Sequence, residues 1–172
     1  MLLSVKIPRV LCLLLYCMML LHRVQDSRKG QSSSQVCPVG STTYLNFCYA
    51  LYMTPRNWID ANMACQEHHG GHLLSVLSGS EAAFVSSLIT NTSKDNAFVW
   101  IGLHDVAENA DSNCTGWKWS SSDALSYRGW EVIPPTNPTA DHCGTLTQTS
   151  DYQKWKNHDC AEELPYVCKF KM

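Results

Sequence analysis

The sequence lacks the motifs of the common enzyme classes. It contains no Gly-x-Ser-x-Gly nucleophile elbow, no phosphate-binding loop and no His-Glu-x-x-His, and no pair of carboxylates is placed for acid–base work. Every acidic residue can be interpreted as an ordinary surface residue. These absences argue against an enzyme and favour a binding protein.

The sequence also lacks an excess of basic residues and a hydrophobic run of membrane-spanning length. Beyond residue 26, ten Lys or Arg stand against fourteen Asp or Glu, a formal charge of −4 before histidine is counted. Nucleic acid is therefore not expected as the main partner, because its binding needs a basic surface. The apolar run over residues 10–21 is shorter than the roughly 20 residues of a transmembrane helix.

Residues 1–26 are predicted to be a signal peptide, since Lys6 and Arg9 precede the apolar run. A signal-anchor that stays in the membrane is the alternative. No Ala-x-Ala site marks the cleavage, which we place between Gln25 and Ser27. The mature protein is thus expected to be secreted and extracellular, without stable membrane insertion.

Residues 27–36 form a short polar segment that is predicted to be a flexible tail, with Arg28 and Lys29 open to trypsin-like trimming. The domain proper is predicted to run over residues 37–172, without an internal repeat.

Seven cysteines remain after the signal peptide is removed, and an exported chain is expected to form disulfides. Because seven is odd, spacing alone permits 105 ways to form three bonds and leave one thiol free. The seven are Cys37, Cys48, Cys65, Cys114, Cys143, Cys160 and Cys168.

Two helices are predicted. The first begins at Thr54 and Pro55, where a hydroxyl can cap free amides and proline suits the first helical position. It ends before the glycine pair at 70–71 and buries Trp58, Ala61 and Cys65. The second begins with the capping box at residues 78–81 and buries the face formed by Phe84, Val85, Leu88 and Ile89.

Strand-like runs lie at both ends of the domain, while the helices lie early, which predicts the α+β class. The runs cover residues 44–51, 72–76, 98–103, 116–119, 144–146 and 166–170. Residues 105–155 carry little helical signal. So long an irregular segment usually binds a ligand or is held by disulfides.

Several ordered motifs resemble the C-type lectin-like domain over residues 37–172. They are Gly-His-Leu-Leu-Ser at 71–75, Trp-Ile-Gly-Leu at 100–103, Gly-Trp-Lys-Trp at 116–119 and Leu-Pro-Tyr-Val-Cys at 164–168. The short exported format, WIGLHD and the closing ELPYVCKFKM are most similar to the regenerating (Reg) family, with its pancreatitis-associated and islet-neogenesis proteins. The resemblance implies two helices, a small mixed and mostly antiparallel sheet, a long irregular loop region and the disulfides Cys37–Cys48, Cys65–Cys168 and Cys143–Cys160. Cys114 is then left as a free or intermolecular thiol.

The Trp-Ile-Gly-Leu run is interpreted as a buried central strand in which Gly102 allows close backbone approach. Trp117 and Trp119 alternate on one strand, so at least one of them is predicted to be core, while the other is a candidate to cover a sugar face.

The resemblance implies two places where a calcium-dependent lectin would hold its metal, and both depart from the pattern. The Trp-Asn-Asp position reads Trp155-Lys156-Asn157, and the Glu-Pro-Asn position reads Ile133-Pro134-Pro135, with Asp141 the one carboxylate kept nearby. Calcium needs about six to eight oxygen ligands. No cofactor is therefore required, and calcium is not expected.

Some Reg proteins that recognise bacterial cell-wall glycan have a second Glu-Pro-Asn, and here that position reads Asp111-Ser112-Asn113. These side chains can exchange hydrogen bonds with sugar hydroxyls without a metal. Asn113 also begins a glycosylation sequon, as does Asn91, so sugar attachment, sugar recognition and an intermolecular disulfide through Cys114, giving a dimer, remain alternatives.

Zinc is a further candidate, because the resemblance points to His104 and His142 as ligands. The carboxylate that would complete that site is Lys118 in this chain, and zinc prefers four ligands, so the site would be incomplete. His68 and His72 are interpreted as a fortuitous pair. Four lysines, Lys154, Lys156, Lys169 and Lys171, form either a cationic patch or ordinary solvated surface.

Two functions follow from this reading. The first is a carbohydrate-binding, antibacterial lectin, which the resemblance implies. The second is a trophic or inflammatory signal that binds a cell-surface receptor, with the lectin fold as scaffold.

Overall fold

In the computed structural model, the described residues are 37–105, 116–132 and 142–172, and they contain eight strands and two α-helices. The predicted signal peptide (1–26) and tail (27–36) lie outside these residues. So do five of the predicted site residues, which are Asp111, Ser112, Asn113, Cys114 and Asp141.

The strands form one sheet in the order β1-β2-β8-β4-β6-β7, with β3 paired to β8 and β5 paired to β4. The pairing of β4 with β8 is parallel and the others are antiparallel. The predicted α+β class, with two helices and a mixed, mostly antiparallel sheet, is confirmed. The strands are β1 (Thr42–Tyr44), β2 (Phe47–Arg56), β3 (His72–Leu73), β4 (Phe98–Asp105), β5 (Trp117–Trp119), β6 (His142–Thr147), β7 (Trp155–Asp159) and β8 (Leu164–Lys171).

The sheet is apolar on both faces. Alternate residues of its central strands point to opposite sides, and apolar residues occupy both sets of positions. One face packs against α2 (Gly79–Thr92) and contains Ile101 and Val167 in its core. The other packs against α1 (Trp58–Gln66) and contains Trp100 and Cys168. One helix therefore covers each face, and the sheet is buried between them.

The predicted start of the first helix is wrong. Residues 54–56 continue strand β2, whose register with β8 shifts between Tyr52 and Arg56. Proline has no N–H for the ladder and is tolerated at such an irregularity. The helix begins after Asn57, whose Oδ1 accepts the Asp60 N–H at 2.9 Å. The predicted buried face of Trp58, Ala61 and Cys65 is confirmed.

The second helix begins where the sequence predicts, but only half of the capping box forms. Ser78 Oγ accepts the Glu81 N–H at 3.1 Å. The Glu81 carboxylate does not return to Ser78 and instead accepts the Leu77 N–H at 2.7 Å. Val85 and Ile89 are buried as predicted, and Phe84 and Leu88 are partly buried against the same core.

Two strand assignments differ from the prediction. The first predicted strand, residues 44–51, is a hairpin of β1 and β2 with Leu45 at φ 51° in its turn. Strand β7 was not predicted, since Trp155-Lys156-Asn157-His158-Asp159 shows no simple apolar alternation. β7 forms because it pairs with β6 over five positions.

The Trp-Ile-Gly-Leu run is the buried central strand that the sequence predicts. A Cβ at Gly102 would lie 2.6 Å from the Leu73 carbonyl oxygen and 2.7 Å from Ser120 Oγ. Gly102 N–H donates to Leu74 O at 2.8 Å, and Gly102 O accepts from Ser120 N–H at 2.7 Å. The close backbone approach therefore requires glycine at this position.

Three disulfides join the pairs that the family resemblance implies. Cys37–Cys48 closes the amino-terminal hairpin, Cys65–Cys168 links α1 to β8, and Cys143–Cys160 links β6 to the segment after β7. No helix in the described residues is long and apolar enough to cross a membrane.

Candidate functional site

The sheet has two halves with different surroundings. The terminal half consists of β1, β2, β3 and β8, which include both ends of the domain. The loop half consists of β4, β5, β6 and β7. Residues 105–155 run from the end of β4 to the start of β7 and include the segments that join these strands. Of the implied calcium and zinc positions, residues 155–157, His104 and His142 fall in the loop half, whereas residues 133–135 lie outside the described residues. The described positions test what the loop half can bind.

The Trp-Asn-Asp position of the implied calcium site lies on strand β7. Trp155 is fully buried, whereas Lys156 is exposed and Asn157 is half-buried. The Lys156 ammonium lies 5.7 Å from the centroid of the Phe98 ring, a weak cation–π contact. An ammonium and an amide thus occupy the positions where calcium would take oxygen ligands, one of them a carboxylate.

An aromatic cluster fills the loop half beneath that position. Trp117 and Trp119 are both buried, so the interpretation that one of them covers a sugar face is wrong. Trp117 packs edge-to-face on Trp130 at 4.7 Å, and Trp119 packs edge-to-face on Trp155 at 5.2 Å. Edge-to-face contacts at these distances are favourable for aromatic rings, and the cluster is a core for the loops.

The two predicted zinc ligands lie on neighbouring strands. His104 is opposite Cys143 in the ladder, and His142 is the residue before Cys143. Because side chains alternate along a strand, the two imidazoles are directed to opposite faces of the sheet. Among the described residues, no three His, Cys, Asp or Glu side chains form a group that could hold a metal ion.

His104 is half-buried and packs beside a core residue. Its ring lies 4.8 Å from the Trp58 indole, centroid to centroid. Burial lowers the pKa of His104, and the Lys118 ammonium on the opposite strand acts in the same direction. The neutral imidazole is therefore favoured.

His68 and His72 have separate environments, as expected for a fortuitous pair. His68 Nε2 and the Tyr52 hydroxyl lie 3.3 Å apart. Gly70, at φ 62°, takes the chain out of α1 before His72 enters β3. The two rings are therefore not carried on one helix face.

Asn91 lies in the last turn of α2 and is exposed. The third residue of its sequon, Ser93, accepts through Oγ from Asn96 Nδ2 at 3.3 Å. The position is open to solvent and accessible to a modifying enzyme, as a glycan acceptor must be.

A buried ion pair in the terminal half is the largest feature that the sequence interpretation missed. Lys169 Nζ lies 2.6 Å from Glu81 Oε1, and both side chains are 7% exposed. The Tyr49 hydroxyl also donates to Glu81 Oε1 at 2.6 Å. The surface interpretation is wrong for Glu81, and neither a cationic patch nor a solvated lysine describes Lys169.

The buried surroundings of this ion pair change the acid–base behaviour of Tyr49. Burial raises the pKa of Tyr49 well above its ordinary value, and the hydrogen bond to Glu81 adds to the effect. Tyr49 therefore remains a neutral donor. A lysine inside the apolar run of residues 166–170 was the available sign that its ammonium needs a buried partner.

Comparison with known proteins gives consistent matches. The family described as Lectin C-type domain matches residues 54–170. Lithostathine of Bos taurus is 46% identical over 170 residues, covering 97% of each chain. Regenerating islet-derived protein 3-gamma of Mus musculus is 47% identical over 162 residues, covering 92% of each chain.

The fold is similar to a solved relative. The structure of human lithostathine superimposes with a TM-score of 0.70 at 39% identity and covers 79% of this chain and all of that one. The architecture of two helices and one mixed sheet thus has a direct counterpart in a solved structure.

Proposed function

Because the chain belongs to the Reg proteins of the C-type lectin family, we propose that it is a secreted lectin-like protein that binds carbohydrate without the usual calcium site. Bacterial cell-wall glycan is the ligand class that we favour. The carbohydrate-binding part of the proposal rests on the family match. The observation that carries its calcium-free part is the β7 position, where an exposed Lys156 stands in place of an oxygen ligand.

Export is supported by two features. Residues 1–26 carry the charge and apolar pattern of a signal peptide. The three disulfides are typical of an oxidising compartment, and they suit a small extracellular domain.

The contacts to sugar are assigned to the segment before β5. Asp111 can accept hydrogen bonds from sugar hydroxyls, Ser112 and Asn113 can both accept and donate, and Asp141 adds a carboxylate from the second segment. Asn113 is also a sequon, and a glycan on it would block recognition. Mass analysis of the secreted protein decides between the two roles, with Asn91 as the second site to be measured.

The test is a glycan array and a peptidoglycan pull-down with the protein secreted from cells that express the full chain. We expect binding that a chelator leaves unchanged and that Asp111→Ala reduces. Glu163→Ala, at an exposed acid next to β8, is the matched control. Binding that the chelator abolishes, or that both variants reduce equally, contradicts the proposal.

Cys114 allows a second test on the same secreted protein, namely whether it forms a disulfide-linked dimer. A thiol in an oxidising compartment can pair with another thiol, and a dimer would present two binding sites and raise avidity. We expect a disulfide-linked dimer on non-reducing gels that Cys114→Ser converts to monomer. A monomeric wild-type protein contradicts this part.

The second candidate function is receptor binding through protein contacts. The observation that favours it is the outer face of α1, where Ile59 is 63% and Met63 is 57% exposed. These residues are four apart and lie side by side on the helix. Saturable attachment to cells that Ile59→Ser and Met63→Ser abolish, together with no glycan binding, favours this function over the first.

A further inference from the structure

A small pocket opens in the terminal half, beside the buried Lys169–Glu81 pair. Its volume is about 130 Å³, and its walls come from β2, β3, β8 and the segment after β5. Pockets for drug-sized ligands hold about 300 Å³ or more, so this one suits a single ring or a smaller group. The lining side chains that can contact a ligand are Phe47, His72, Ser121, Asp123, Lys169 and Lys171.

Lys171 is the cation that the pocket offers to a ligand. Lys169 is already engaged, because its ammonium donates to Glu81 Oε1 at 2.6 Å and to Ser75 O at 3.1 Å. Lys171 is exposed, and it makes no side-chain hydrogen bond or ion pair within the described residues. The Lys171 ammonium is therefore available for an anionic group.

Asp123 supplies the opposite charge in a fixed position. Its Oδ2 accepts from Ser75 Oγ at 2.6 Å and from Ser121 Oγ at 2.8 Å. Its Oδ1 has no protein donor in the described part of the chain, so one carboxylate oxygen is free to accept from a ligand. The two hydroxyl contacts to Oδ2 fix the orientation of the carboxylate before any ligand arrives.

His72 provides a further polar contact. Its Nδ1 is buried and has no hydrogen-bond partner among the residues that the structure describes. The ring lines the pocket, and its other nitrogen, Nε2, makes no hydrogen bond to the described residues, so Nε2 can pair with a ligand hydroxyl. Phe47 forms the apolar wall beside it, with the Lys169 ammonium 4.5 Å from its ring centroid.

We propose that this pocket binds one acidic sugar residue, a ring with several hydroxyls and a single carboxylate. The carboxylate pairs with Lys171, and the hydroxyls contact Asp123, Ser121 and His72. A bare anion would be repelled by Asp123, and a neutral sugar would leave Lys171 unpaired. A zwitterionic amino acid would satisfy the two charges but leave His72 Nε2 without a partner.

The pocket's lining residues include none of those to which the proposed function assigns sugar contacts. The pocket is formed by the terminal half and residues 121–123, whereas Asp111 precedes β5. Binding here therefore goes beyond the proposed function, and a protein without cell-wall glycan binding can still bind an acidic monosaccharide.

The test is saturation-transfer difference NMR with the secreted protein and three probes, namely glucuronate, glucose and alanine. We expect glucuronate to bind most tightly. Lys171→Ala should weaken glucuronate about fivefold, as for an exposed ion pair, and leave glucose unchanged. Asp123→Asn should weaken both sugars about tenfold, since it removes a charged acceptor. Lys156→Ala, an exposed lysine of the loop half, is the matched control.

Asp111→Ala separates this site from the loop site, because it should leave glucuronate binding unchanged. The proposal is overturned if glucuronate shows no transfer above the control, if alanine binds more tightly, or if Lys171→Ala and Lys156→Ala have equal effects. Binding is compared only for variants whose thermal midpoints equal that of the wild-type protein.

Discussion

The terminal half of the sheet contains a buried charged pair, whereas the loop half contains aromatic rings. In the terminal half, Lys169 and Glu81 are joined at 2.6 Å and are supported by Tyr49. In the loop half, Trp119 and Trp155 pack at 5.2 Å. A charged pair requires specific partners, while apolar packing tolerates rearrangement. The terminal half is thus built for a single arrangement, and the loop half can carry varied loops.

The disulfides of the two halves differ in the same way. Cys65–Cys168 in the terminal half closes 103 residues, and Cys143–Cys160 in the loop half closes 17. In the chain-entropy account, a bond that closes a longer loop stabilises more, because it restricts the unfolded chain more strongly.

Removal of the long disulfide should have the largest effect on stability. We expect Cys65→Ala with Cys168→Ala to lower the free energy of unfolding by about 4.7 kcal/mol, against about 3 kcal/mol for Cys143→Ala with Cys160→Ala. Urea unfolding followed by tryptophan fluorescence measures both. Equal losses would show that loop closure does not distinguish the two halves.

Breaking the buried ion pair should come next. Glu81→Gln leaves the Lys169 ammonium buried without its counter-charge, so we expect a loss of about 4 kcal/mol. Glu163→Gln is the control at an exposed acid, and it should change stability by less than about 0.5 kcal/mol. A loss below about 1 kcal/mol for Glu81→Gln, the range of exposed pairs, would mean that the pair is hydrated.

The contact between the two halves can be tested at Gly102. A Cβ there would press on the Leu73 carbonyl oxygen of the terminal half and on Ser120 Oγ of the loop half. We expect Gly102→Ala to cost about 2 kcal/mol in thermal unfolding, as overpacking does. At Gly79 a Cβ meets nothing within 4 Å, so Gly79→Ala should leave the midpoint unchanged or slightly raised.

The smallest expected effect is that of calcium on the loop half. Because Lys156 and Asn157 replace oxygen ligands, calcium should leave the thermal midpoint unchanged within error. Lys156→Asn with Asn157→Asp restores the ligand types on β7 and should give a small upward shift with calcium. A calcium-dependent rise in the unmodified protein would show that other oxygen ligands compensate.

The sequence predicts the fold well where a single local pattern decides the structure. The buried face of α1, the start of α2 and the central strand around Gly102 each follow from spacing or from one capping residue. The prediction fails where pairing with a strand distant in sequence determines the local structure. Residues 54–56 stay extended because β8 pairs with β2, and β7 forms because β6 lies beside it.

The binding residues were harder to predict because their roles depend on contacts across the chain. Glu81 is three residues after Ser78, which fits a capping box, yet its carboxylate pairs with Lys169 eighty-eight residues later. Asp123 carries no motif at all and gains a fixed orientation only from Ser75 and Ser121. Local periodicity contains no information on such distant pairs.

Strand β8 has a consequence for how the protein is made. It pairs with β2, β3 and β4, and it carries both Cys168 and Lys169. During synthesis, neither the long cross-link nor the charged pair can form until Cys168 and Lys169 have left the ribosome. Until then Cys65 and Glu81 have no native partners, and Cys65 remains exposed to mispairing with Cys37 or Cys48. Efficient production should therefore depend on disulfide isomerase activity after strand β8 has been synthesised.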